Sequence, residues 1–212
     1  MSYLPTFERV IIFALIMFIS LPVHEAAHAY AAFRLGDDTA KNQGRLTLNP
    51  LRHLDPLGSV LMIFVGFGWA KPVPINPNNF RNRKTGFAVS ALAGPVSNLI
   101  LAYLFMVLLR IAAPSESLPD LVIWFVYYGV MLNIGLAVFN LLPIPPLDGS
   151  RIFSLVLPEK QYFKLMKFER VIFIVFFILL QTPLFDGVLA FLQQHTYNIM
   201  LRLTDWVNFL YF

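Results

Sequence analysis

Residues Val10–Phe33 read VIIFALIMFISLPVHEAAHAYAAF. A helix needs roughly 20 predominantly apolar residues to cross a bilayer, and this stretch supplies them. It also carries His24, Glu25 and His28 inside otherwise apolar surroundings. A carboxylate within a membrane helix costs about 2.5–3.5 kcal/mol on insertion scales, so an ionisable group there reads as functional. The plainer reading is a small polar patch that binds a neighbouring helix.

The rest of the 212-residue chain fits the same setting: 58% of residues are hydrophobic and only 13% charged. That composition excludes a disordered chain, and the absence of cysteine excludes a disulfide scaffold. Further spans are expected at Gly86–Ile111, Leu121–Leu142 and Val171–Leu192, the last with Pro183 inside it. Gly58–Ala70 is too short for a regular span and carries Gly58, Gly66 and Gly68, so it is expected to dip in and return. The tail His195–Phe212 is expected on the interface or as a last tilted span, and Gly44–Leu48 alternates like a short strand. The expected fold is an all-α polytopic membrane protein. Three transmembrane helices form a core that carries a metal site, with a re-entrant or hairpin element and one or two further C-terminal helices. Residues 1–212 read as one membrane domain, with a metal-site core at about 7–155 and C-terminal membrane segments at about 168–212.

Charge orients the chain. The connections 34–56, 71–85 and 143–170 hold 13 of the 16 Lys and Arg residues, whereas 112–120 holds only Glu116 and Asp120. Basic loops favour the cytoplasm, so the first three belong inside and the fourth outside. The first two can share a side only if Gly58–Ala70 returns to where it started. The net charge of +4 therefore reads as bilayer orientation, with lipid rather than nucleic acid as the partner.

His24-Glu25-Ala26-Ala27-His28 follows the pattern His-Glu-x-x-His. On a helix the two histidines share a face and can bind one metal ion, with Glu25 in reach of a metal-bound water as general base. Chance yields roughly 0.002 such patterns in a chain of this composition. A catalytic zinc usually has three protein ligands and one open position. His53 and His195 read as ordinary interfacial residues, the latter at a helix end. Asp148, in Asn140-Leu-Leu-Pro-Ile-Pro-Pro-Leu-Asp148-Gly149, reads alone as part of a turn. Pro143, Pro145 and Pro146 forbid a regular helix there, and an extended segment can lower Asp148 to the depth of the histidines. Paired with the helix motif, Asp148 becomes the candidate third ligand.

His24-Glu25-x-x-His28 in one span and Asn140-x-x-Pro143-x-Pro145-x-Leu147-Asp148-Gly149 in a later one resemble the site-2 protease family of intramembrane zinc metalloproteases. Gly36-Asp37, Gly44–Pro50, Trp69–Pro74 and Ala93–Asn98 extend the resemblance over about residues 20–155. It is most similar to the short bacterial branch without a PDZ domain. The resemblance implies His24, His28 and Asp148 as ligands of one zinc ion, Glu25 as catalytic base, and Asn140 as donor to substrate or oxyanion. Asn140 can equally serve helix–helix packing, and Gly94, Pro95 and Asn98 read as structural.

The expected activity is hydrolysis of peptide bonds in or near transmembrane segments of membrane-protein substrates. The expected location is the cell membrane, multi-pass, with the active site toward the cytoplasm. A membrane metal carrier using the same ligands is the first alternative, but it has no need of Glu25 or Asn140. A catalytically inactive binder of membrane segments is the second, and the intact metal residues argue against it.

Overall fold

The computed structural model describes residues 6–58, 60, 70–114, 117–158, 161, 166–180 and 182–211. The helices are α1 (Thr6–Arg34), α2 (Thr39–Asn42), α3 (Arg83–Ala112), α4 (Asp120–Asn140), α5 (Asp148–Phe153), α6 (Glu169–Leu179) and α7 (Pro183–Leu203). Among the described residues there is no strand, only an antiparallel bridge between Leu54 and Ala70. Phe7–Arg34, Arg83–Ala112 and Asp120–Asn140 are long and apolar enough to cross a membrane.

Helix α3 is central and packs against α1, α4 and α5. Its inward residues are mostly small, among them Ala88, Ala91, Gly94, Asn98 and Ala102, so the neighbouring backbones come close. Phe105 and Met106 continue this face into a core with Val126, Val130, Ile134 and Val138 of α4 and Met200 of α7. The opposite face exposes Val89, Leu92, Val96, Ile100, Leu104, Leu108 and Ile111 at steps of three and four. Such a stripe would be a liability in water and suits acyl chains.

One end of the bundle is tied by polar loops. Gly36 takes φ +108°, which lets Asp37 N–H return to the Ala32 carbonyl at 2.9 Å and ends α1. The buried Asp37 carboxylate accepts from Thr39 N–H (3.1 Å), the Thr39 hydroxyl, Asn76 N–H (2.7 Å) and the Asn79 amide (2.8 Å). Burial pushes its pKa up, but these donors outweigh burial and hold the carboxyl below its ordinary value. A depressed carboxylate stabilises the fold above its ordinary pKa and loses that contribution as the pH falls, so this anchorage is present at neutral pH.

The connections 34–56 and 71–85 therefore lie at the same end. Lys71 N–H donates to the His53 carbonyl at 2.7 Å beside the Leu54–Ala70 bridge, so the chain that leaves at 55 is back at 70. A single crossing would carry those ends about 30 Å apart. Residues 59 and 61–69 of the expected re-entrant element lie outside the described residues.

Three local expectations are corrected. The Gly44–Leu48 alternation forms no strand: Arg45 N–H closes on the Ala40 carbonyl at 2.8 Å, which commits it to the end of α2. The Val171–Leu192 span is broken. Helix α6 stops at Leu179 and α7 starts at Pro183, with Thr182 extended at φ −106°, ψ 151°. Proline cannot donate to the preceding turn and disfavours helix at the residue before it. Helix α7 then runs through Gln193, Gln194 and His195 to Leu203, so His195 is not at a helix end, and Asp205–Tyr211 follows as a 3-10 turn.

The loop connections generate a topology test, and the native chain has no cysteine to interfere. Single cysteines at the exposed Asp38 and Thr85 are expected to react with a membrane-impermeant reagent from the same side. A cysteine at exposed Leu118 should react from the other side. Labelling of Asp38→Cys and Thr85→Cys from opposite sides would mean that 55–70 crosses the bilayer.

Candidate metal centre

His24 and His28 are one helical turn apart on α1, and both are buried against α3. Asp148 reaches them from the first turn of α5. Helix α4 ends at Asn140, the proline-rich residues turn the chain, and Leu147 is extended at φ −64°, ψ 154° before α5 begins. The turn is tight enough to require glycine next to the aspartate: a Cβ on Gly149 would lie 2.2 Å from the Leu141 carbonyl oxygen. The Lys84 ammonium donates to the carbonyls of Leu155 (2.8 Å) and Leu157 (2.9 Å), which pins the far end of α5 to α3.

Three donor atoms converge. His24 Nε2 is 3.0 Å from His28 Nε2, and Asp148 Oδ2 is 3.3 and 3.1 Å from these two nitrogens. The other nitrogen of each ring faces an oxygen. His28 Nδ1 donates to the Ser90 carbonyl at 2.7 Å, and His24 Nδ1 donates to Asn98 Oδ1 at 2.6 Å. A neutral ring protonated at Nδ1 presents a bare lone pair at Nε2. Two lone pairs and a carboxylate oxygen thus point at one another with less than a tenth of any of these residues exposed. Such a cluster calls for a positive charge among its donors, and three converging donor atoms of these types can hold a metal ion. A tetrahedral zinc with ligands at about 2.0–2.1 Å sets its donors about 3.3 Å apart, so the donor set fits that ion.

Glu25 lies next on α1, half-buried, and its Oε2 accepts from Val73 N–H at 3.0 Å. Val73 belongs to the extended segment after Ala70. The buried Arg45 guanidinium holds that segment from the other side by donating to the Lys71 carbonyl. Burial lowers the Arg45 pKa, and the charge of Glu25 acts against that shift. Asn140 is not brought into the cluster: its amide donates to the Leu136 carbonyl of its own helix at 2.9 Å. His53 is buried and donates from Nε2 to the Thr47 carbonyl at 2.7 Å, while His195 is exposed and stacks on Phe191.

Sequence reasoning gave Ser90, Gly94 and Asn98 no part in this centre. They are spaced four apart on α3 and form the wall against which both imidazoles rest. A Cβ on Gly94 would lie 2.3 Å from His28 Nε2 and 2.6 Å from His24 Cε1. The available signal was that spacing, together with one uncharged amide in an apolar span.

The model for peptidase family M50 matches residues 109–182. The chain is 45% identical over 183 residues to a provisionally named zinc metalloprotease, YwhC of Bacillus subtilis, covering 82% of this chain and 81% of the relative. It is 34% identical over 173 residues to the likewise named Rip2 of Mycolicibacterium smegmatis, covering 78% of this chain and 64% of the relative. MJ0611 of Methanocaldococcus jannaschii, named in the same way, is 44% identical over 64 residues, covering 30% of this chain and 31% of the relative. No solved structure matches the chain.

The wall at Gly94 predicts a strong effect from one methyl group. Gly94→Ala should displace the imidazoles and lower zinc content well below that of the native protein, with helix content by circular dichroism unchanged. Gly187→Ala is the control, since nothing lies within 4 Å of its added Cβ. Native zinc content in Gly94→Ala would mean that the rings do not rest on this wall when metal is bound.

Proposed function

We propose, given that this chain belongs to peptidase family M50, the site-2 proteases, that it hydrolyses peptide bonds in or beside the membrane spans of membrane-protein substrates. The observation that carries this reading is the convergence of His24, His28 and Asp148 beside Glu25 within an apolar bundle. His24, His28 and Asp148 would hold one zinc ion. Bound there, zinc supplies Lewis acidity, which acidifies a water and polarises a scissile carbonyl.

Glu25 is the general base. Val73 N–H steadies its Oε2, and Oε1 takes a proton from the attacking water and passes it to the leaving amine. A substrate helix must first unwind locally, because its carbonyls are engaged in i to i−4 bonds. Asn140 is the candidate donor to the substrate: the Leu136 carbonyl uses one of its two amide hydrogens, and the other is available to a carbonyl oxygen. Neither a metal carrier nor an inactive binder accounts for a carboxylate held beside the metal donors.

The site opens toward the cytoplasm and the chain resides in the cell membrane. This reading is supported by the 13 of 16 basic residues in the three connections 34–56, 71–85 and 143–170. Residues 1–212 work as one unit, with α7 packed on α4 and α3 as a support for the core.

Glu25→Gln should retain zinc and fold but lose activity by about 10²–10⁴, the contribution of a general base. Glu25→Asp should be nearly as inactive, because one methylene fewer withdraws the carboxylate. The assay is a tagged single-span substrate co-expressed with each variant and read for the shorter product. Native cleavage by Glu25→Gln beside an inactive His24→Ala would assign the base elsewhere.

A further inference from the structure

An unbroken hydrogen-bond chain leaves the metal centre through α3 and ends on α4. His24 Nδ1 meets Asn98 Oδ1 at 2.6 Å, Asn98 Nδ2 donates to Asn133 Oδ1 at 3.0 Å, and Asn133 Nδ2 donates to the Gly129 carbonyl at 2.8 Å. Asn98 and Asn133 are fully buried, so water cannot substitute for a missing partner.

The direction of this chain is forced from its far end. A backbone carbonyl only accepts, so Asn133 must turn its NH2 toward Gly129 and its oxygen toward Asn98. Asn98 must then turn its NH2 to Asn133 and its oxygen to His24. His24 must carry its proton on Nδ1, which leaves Nε2 bare. The Ser90 carbonyl does the same for His28 in a single step.

We propose that Asn98 and Asn133 are positioning residues that transmit the polarity of the Gly129 carbonyl to His24 and lock it in the metal-binding tautomer. The carbonyl cannot reach His24 itself, and the two amides extend it across the α3–α4 interface. Histidine ligands commonly donate their second nitrogen to a carboxylate or carbonyl. Here an amide pair does this without adding a charge to an apolar bundle. The inference rests on His24 being a metal ligand, as argued above.

The test uses the purified full-length protein with 15N-labelled histidine, stripped of metal at a pH where imidazole is neutral. His24 is assigned by comparison with His24→Gln. Native His24 should show the Nδ1–H tautomer. Asn98→Leu should lose it and weaken zinc binding by about 10–100-fold, the usual effect of removing such a partner. Asn98→Asp, which can still accept from Nδ1–H but sets an oxygen against Asn133 Oδ1, should restore the tautomer and recover zinc affinity above that of Asn98→Leu. Should Asn98→Leu fail to fold, Asn133→Leu is read instead. It frees the Asn98 amide to reverse and should give a mixture of tautomers. An Nδ1–H tautomer that persists in the folded variant, with native zinc affinity, overturns the proposal. A tautomer that shifts as described in a protein that binds no zinc supports the relay and overturns the ligand assignment instead.

Discussion

Two imidazole nitrogens and a carboxylate oxygen face one another at 3.0–3.3 Å in the buried centre of a membrane bundle. Without a positive charge between them, a metal ion or a proton, this arrangement is repulsive, and its burial weakens screening by solvent. Several residues around it keep it in place. Gly94 gives the rings a flat wall, Gly149 lets the α5 turn close, and Lys84 holds the far end of that helix. Ser90 and Asn98 occupy the two outward-facing ring nitrogens, so that only lone pairs remain to face inward.

The same economy governs the loops. Asp37 spends its carboxylate on Thr39, Asn76 and Asn79, which brings the extended segment after Ala70 back against α1. Val73 N–H can then meet Glu25, while Arg45 takes the Lys71 carbonyl. The Glu25 carboxylate is thus held by a backbone donor delivered from a distant part of the chain. The loop positions that carry no chemistry of their own decide where Glu25 points.

Much of this was legible in the sequence because its signals are local. Apolar length located the three long helices, and the spacing of His24 and His28 put both on one face. The basic residues of 34–56 and 71–85 required those loops to share a side, which the Asp37 and Lys71 hydrogen bonds satisfy. Hydropathy alone could not see the break at Pro183, because the apolar run continues through it. The alternation in Gly44–Leu48 misled because a strand needs a partner, and Arg45 N–H was already taken by Ala40. Asn98 was read as packing because an amide gives no sign of which atom it turns to its neighbour. Its role exists only once α1, α3 and α4 are assembled.

The central claim is that His24, His28 and Asp148 hold one zinc ion. X-ray absorption at the zinc edge of the purified protein tests it directly, with metal content measured on the same sample. The account predicts one zinc per chain, with two imidazole nitrogens and oxygen donors at about 2.0–2.1 Å. A zinc shell without imidazole, or a shell unchanged in His28→Ala, would contradict it.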